Sequence, residues 1–213
     1  MAINLKKGQG ISLRKDESDL SQVTIGLGWD IVEEKRGLLG SIFKKKEEDY
    51  DLDAVAFLCG SDGKVADLGR DASGKATLIG GDVVFFNNQK HKSGRIWLTG
   101  DNRTGAGDGD DEQIIVNLND LPQNYTKVVF LVQIYNGIKN NQSFGNVRSA
   151  FIRAVDTRGK EMVRFDLSGD ANFGNCRSLL FAEMLRDGSN WQFKAVGTPF
   201  ETDSFVEVLK QFV

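Results

Sequence analysis

Alternation with a period of two runs through most of this chain. Val23-Thr-Ile-Gly-Leu-Gly-Trp29 puts Val23, Ile25, Leu27 and Trp29 on one face of an extended segment. Met162 to Leu167 repeats the pattern with Val163, Phe165 and Leu167. Short apolar runs at Ala54 to Cys59, Val83 to Phe86, Ile96 to Leu98, Val128 to Ile134, Ala150 to Val155, Leu179 to Leu185 and Trp191 to Val196 read as buried strands, and Gln113 to Leu118 reads as one more. The period changes only at the end of the chain. There Ser204-Phe-Val-Glu207 has the form of a capping box, and Phe205, Val208, Leu209 and Phe212 follow at helical spacing. A short helical turn is suggested near Ser143 to Arg148. The prediction is a mainly β fold, a β-sandwich of two sheets with a C-terminal helix packed on one of them. Turn signals every ten or so residues, 24 glycines and only two prolines agree with it.

An internal repeat is suggested over about residues 20–100 and 125–197. Ala54-Val-Ala-Phe-Leu-Cys-Gly-Ser-Asp-Gly-Lys64 aligns without gaps on Ala150-Phe-Ile-Arg-Ala-Val-Asp-Thr-Arg-Gly-Lys160. Val23 to Trp29 matches Val128 to Ile134 in pattern, and Gly94-Arg-Ile-Trp97 matches Gly188-Ser-Asn-Trp191. The reading is one domain over residues 1–213, with two similar halves sharing a core.

Composition narrows the chemistry. The chain has 213 residues, 40% hydrophobic and 27% charged, with net charge -3. A sequence pI near 5.3 argues against a nucleic-acid binder. No apolar run approaches the length of a membrane helix, and the first residues lack the apolar stretch of a secretory signal, so a cytoplasmic location is expected. Two cysteines and one histidine are too few for a structural zinc site. A Ser-His-Asp triad would need His91, which lies in Asn-Asn-Gln-Lys-His-Lys-Ser-Gly and reads as a solvated turn. Cys59 and Cys176 fall in different segments, and Cys59 reads as a core residue, so direct thiol chemistry is not expected.

The chemistry is concentrated after Ile96 to Leu98. Residues 100–112 read Gly-Asp-Asn-Arg-Thr-Gly-Ala-Gly-Asp-Gly-Asp-Asp-Glu, with Asp101, Asp108, Asp110, Asp111 and Glu112 crowded together. Two unit charges ~4 Å apart repel by ~4 kcal/mol at an effective dielectric of ~20. Such a loop is either a solvated turn or a cation site, and the glycines favour the cation, because ordering them costs entropy that a bound ion offsets. Ca²⁺ takes six to eight oxygens from carboxylates, amides and carbonyls. Asp101, Asn102, Thr104, Gly105, Gly107, Asp108, Asp110, Asp111 and Glu112 offer all of these. The loop is not an EF-hand: with Asp101 first, Arg103, Gly105 and Ala106 stand at the third, fifth and sixth places. No Gly-Lys-Ser/Thr follows, which argues against a phosphate loop. Asp30, Asp51 and Asp53 stand at predicted strand ends, with Asp51 and Asp53 on one face, and would complete one or two sites.

Taken together, Gly26-Leu27-Gly28-Trp29-Asp30, Asp51-Leu52-Asp53-Ala54, Gly100-Asp101-Asn102-Arg103-Thr104-Gly105 and Gly107-Asp108-Gly109-Asp110-Asp111-Glu112 resemble the motifs of the TerD family of bacterial tellurium-resistance and stress proteins. Phe144 to Asp156 resembles the family's second half, so the likeness covers nearly the whole chain. It implies a single β-sandwich domain that binds Ca²⁺ through these loops, in the cytoplasm or at the inner membrane face, with other stress and tellurium-resistance proteins as partners. Catalysis is not implied. The alternative is a metal-dependent hydrolase or phosphotransferase using the same acids, with Arg103 as the one cationic clamp in the loop. The segment 33–50 departs from a short connection. Leu38, Leu39, Ile42 and Phe43 lie beside Lys44, Lys45 and Lys46, and Glu47, Glu48 and Asp49 offset those lysines, which favours a plain strand connection over a docking segment.

Overall fold

In a computed structural model, which describes residues 2–31, 50–99, 110–166 and 173–213, twelve strands form two six-stranded sheets. In chain order these are β1 (Ile3–Leu5), β2 (Gly10–Leu13), β3 (Val23–Ile31), β4 (Leu52–Cys59), β5 (Val83–Val84), β6 (Ile96–Leu98), β7 (Glu112–Val116), β8 (Lys127–Ile134), β9 (Val147–Val155), β10 (Glu161–Asp166), β11 (Ser178–Asp187) and β12 (Asn190–Phe200). The first sheet runs β1-β10-β9-β3-β7-β6 and the second β2-β12-β11-β8-β4-β5. All pairs are antiparallel except β1 with β10. The β-sandwich expected from the alternation is therefore present.

The inner faces make the main core. Val23, Ile25, Leu27 and Trp29 of β3 meet Ala54, Ala56 and Leu58 of β4 and Val128, Phe130 and Val132 of β8. The outer face of the second sheet is apolar too. Val55, Phe57, Val129 and Leu131 lie under helix α1 (Phe205–Leu209), which buries Phe205, Val208 and Leu209 there, with Phe212 packed against them. The helical stripe thus faces where its spacing predicted. The capping box does not form: Ser204 makes no side-chain cap hydrogen bond, and the helix runs only to Leu209 before a 3₁₀ turn.

Strands contributed by both suggested halves are mixed in both sheets. Val23 to Trp29 lies at the centre of the first sheet and Val128 to Ile134 at the centre of the second. Ala54 to Cys59 and Ala150 to Val155 lie beside those central strands in opposite sheets. The aligned turns share a geometry. Gly60 donates its N–H to Lys64 O and Asp156 to Lys160 O, at 2.8 and 2.9 Å, and Gly63 and Gly159 both have φ +77°. Such positive φ is open to glycine at little cost.

Three expectations need adjusting. β1 and β2 were not read from the pattern. β5 stops at Val84, because Phe85 and Asn88 close a tight turn by an isolated bridge. β7 starts at Glu112 rather than Gln113, so the last acid of the loop belongs to the sheet.

Candidate metal centre

The last residues of β3 and the first residues of β4 and β7 lie at one end of the sandwich. β3 and β7 are antiparallel with Leu27 opposite Glu112, and Asp111 extends the ladder by donating its N–H to Leu27 O at 2.7 Å. Side chains alternate, so the three consecutive acids diverge. Glu112 shares its face with Ile114 and Val116 and turns into the sandwich, where its Oε2 accepts the N–H of Ala54 in the opposite sheet. Asp111 Oδ2 accepts the N–H of Trp29 at 2.9 Å. Asp110 lies over the outer face of the first sheet. Its Oδ1 accepts from Arg153 Nε at 2.8 Å and its Oδ2 from Gln113 Nε2 at 3.2 Å. Arg153 also donates to Glu161 at 2.9 Å. These two carboxylates hold the Arg153 guanidinium even more firmly protonated than usual, Asp110 foremost.

From the second sheet, Asp53, the second residue of β4, stands opposite Gln133 of β8, whose Nε2 donates to Asp53 Oδ2 at 3.0 Å. Ala54 follows at once, so the Asp53 carboxylate and the acceptor of the Ala54 N–H, Glu112, are tied to consecutive residues. Asp51 accepts the Tyr135 N–H through its carbonyl at 2.7 Å. Asp30 occupies the position in β3 opposite Arg148 of β9. Asp101, Asn102, Thr104, Gly105, Gly107 and Asp108, and the segment 33–49 of the predicted inserted loop, lie outside the described residues.

Asp53, Asp111 and Glu112 are 9%, 7% and 2% exposed. Buried carboxylates are rare unless paired or metal-bound. The donors gathered here are all oxygen, the chemistry of a hard cation such as Ca²⁺ rather than of zinc. Among the described residues alone, no three His, Cys, Asp or Glu side chains converge as a metal would require.

A second polar centre lies toward the other end of β4, where Leu58 donates its N–H to Asp82 O at 2.9 Å. Here the expectation of a solvated His91 is corrected. The ring is buried and its Nε2 lies 3.1 Å from Asp82 Oδ1, which also accepts from Tyr125 Oη at 2.7 Å and Lys92 Nζ at 3.1 Å. Ser93 Oγ lies 2.8 Å from His91 Nδ1. Burial alone would raise the Asp82 carboxyl, but the bonds from His91, Tyr125 and Lys92 outweigh it and hold it below the usual range. Burial and the Asp82 charge push Tyr125 up to about 12. Both cysteines are buried and free, as expected for Cys59, and burial pushes Cys59 up to about 12 and Cys176 to about 11.

The TerD domain family matches residues 1–212. The chain belongs to the TerD family. It is 63% identical to the tellurium resistance protein TerX of Serratia marcescens, over the whole of both chains. It is 37% identical to the stress response protein SCP2 of Bacillus subtilis (strain 168), again over the whole of both. The crystal structure of a homologue of the telluride resistance protein TerD from Streptomyces coelicolor A3(2) shares the fold, with TM-score 0.60, 21% identity, and coverage of 91% of this chain and 98% of that one.

Within this TerD-family sandwich, sequence reading passed over three residues that shape the acidic end: Gly26, Arg153 and Gln133. Gly26 and Gln133 each carried a signal. A glycine inside an alternating strand marks a close approach, and a Cβ on Gly26 would fall 2.1 Å from Asp110 Oδ2. Gln133 is the one polar residue within the apolar run Val128 to Ile134.

Proposed function

We propose that this TerD-family chain is a calcium-binding stress-response module that works by binding rather than by catalysis. The observation that carries the reading is that three buried carboxylates, Asp53, Asp111 and Glu112, stand on or beside strands of both sheets at the end where the acidic segment 100–112 joins β7. Their fixed hydrogen bonds to Gln133 and to the Trp29 and Ala54 N–H groups pre-orient the oxygens, which lowers the ordering cost of binding. Asp101, Asn102, Thr104, Asp108 and the Gly105 and Gly107 carbonyls would supply the remaining oxygens of one or two ions, with Asp30 and Asp51 at the margin. A bound Ca²⁺ would supply charge neutralisation at this end.

The names of relatives, tellurium resistance and stress response, support a role in resistance to tellurite and related stress, with other proteins of that kind as partners and the cytoplasm as the place of action. Among the described residues, no helix is long and apolar enough to cross a membrane. Direct thiol reduction of tellurite fits poorly with two buried cysteines whose thiols are pushed far from ionisation.

Calorimetric titration of purified, EDTA-treated protein tests the reading. Calcium should bind with a stoichiometry of one or two and Mg²⁺ more weakly, since Mg²⁺ demands rigid octahedral geometry. Absence of calcium heat together with identical melting curves in calcium and EDTA would overturn it.

A further inference from the structure

The apolar cluster outside the second sheet is separate from the core between the sheets. Val55, Phe57, Cys59, Val129 and Leu131 supply its sheet side, and Phe205, Val208, Leu209 and Phe212 pack on them from α1 and the 3₁₀ turn after it (Lys210–Phe212). A helix as short as Phe205–Leu209 does not persist alone in water, where ~12–15 residues are needed. This stretch is therefore ordered by what it lies on. It is tied down near both ends. At the start, Phe205 donates its N–H to Gln133 Oε1 at 2.7 Å, with no cap bond from Ser204. At the finish, Val65 donates its N–H to Phe212 O at 2.7 Å, and Lys64 Nζ donates to Gln211 O at 3.3 Å and Val213 O at 2.9 Å. Between these ties Val208 and Leu209 are buried, and Glu207 pairs with Lys210 of the same stretch. None of the ties belongs to a strand ladder, so all of them can break while both sheets stay paired.

We propose that residues 204–213 form a strap that opens as one unit while the sandwich stays folded, baring the outer face of β4 and β8 and the Cys59 thiol. Segments that open locally are those with few attachments to the rest of the fold. Cys59 lies under the far end of this one. It is the last residue of β4, and the turn that follows it carries Lys64 and Val65, the two residues that hold the strap's finish. Its cross-strand neighbour Lys127 holds its ammonium 5.7 Å from the centre of the Phe212 ring. With the strap closed, Cys59 is 0% exposed. Cys176 belongs to the core between the sheets, so opening of the strap does not uncover it. The two free thiols thus report on different cores.

The test reads amide exchange and thiol trapping on the full chain without denaturant, against global unfolding measured in urea. The Phe205 and Val65 amides tie opposite ends of the strap to the body, so they should exchange through one common opening equilibrium, more populated than global unfolding. Excess maleimide, with the labelled peptides resolved by mass spectrometry, should trap Cys59 through that same opening and leave Cys176 behind. Lys64→Met removes two bonds at an exposed position and should speed both Phe205 exchange and Cys59 trapping ~5-fold, with Cys176 unchanged. The wild-type comparison needs no variant and stands whatever Lys64→Met does to folding. Phe205 and Val65 amides that exchange only through global unfolding overturn the proposal, as do different opening equilibria for the two. A Cys59 thiol trapped no faster than global unfolding allows overturns it too, and so does a Lys64→Met chain whose Phe205 exchange does not move.

Discussion

Gly26→Ala adds a single methyl group, and the structure says where its cost falls. The new Cβ would lie 2.1 to 2.3 Å from the two oxygens and Cγ of Asp110. Carbon needs ~3.5 Å to its non-bonded neighbours, so the carboxylate must move by more than an ångström and give up its 2.8 Å bond to Arg153. A hydrogen bond to a charged group contributes ~1.5–3 kcal/mol. The Asp110 side chain is only 3% exposed, so solvent replaces little of it, and Arg153 keeps Glu161. Against this, alanine in a strand interior gains ~0.5–1 kcal/mol over glycine. The net cost should be ~1–2 kcal/mol, a fall of ~2–8 °C in Tm for a chain of this size. The decisive measurement is a double-mutant cycle by urea unfolding in EDTA. In an Asp110→Ala background the clash is gone, and Gly26→Ala should be neutral or mildly stabilising. An equal cost in both backgrounds would show that Gly26 is required for another reason and that Asp110 does not occupy this place.

Further outcomes follow from the same contacts. Asp111→Asn and Glu112→Gln should each abolish most of the calcium-dependent rise in Tm, read by comparing melts in calcium and EDTA. Stability should decline at both pH extremes through the Asp82 centre. Asp82 is held below its ordinary pKa, so its contribution is complete above the carboxylate range and is lost as pH falls through its folded value. Tyr125 is raised to about 12, so its contribution holds below the ordinary tyrosine value of ~10 and is lost as pH rises from there toward 12. Tyr125→Phe should flatten that alkaline limb in urea midpoints. A Cys59→Ala/Cys176→Ala variant should keep whatever tellurite protection the wild type gives in a growth assay, once its lower stability is matched by expression.

The strands that were legible in the sequence are those with one apolar face or two. β3 and β10 alternate, and β4, β8 and β11 are continuous apolar runs because both faces are covered, the second sheet by α1 as well as by the first sheet. β1 and β2 were not, since each buries only one residue, Leu5 and Leu13, and takes its place from edge pairing rather than from its own pattern. Crowding of the acids was readable, but their divergence was not. Whether Asp110, Asp111 and Glu112 point outward, along or inward depends on a strand start one residue earlier than turn chemistry suggested. His91 misled for a related reason: its neighbours are polar, and only long-range packing brings Asp82 and Tyr125 to its ring. The capping box does not form: the Glu207 carboxylate pairs with Lys210 instead, and the Phe205 N–H goes to Gln133 of a distant strand.

The placement of the first thirteen residues has a consequence for how the chain is made. β1 lies beside β10 and β2 beside β12, so a leading segment stitches itself into both sheets on partners synthesised near the end. During translation the first layer cannot be completed until β10 has emerged, nor the second until β12 has, and the earliest-made edges stay open to other chains in the meantime.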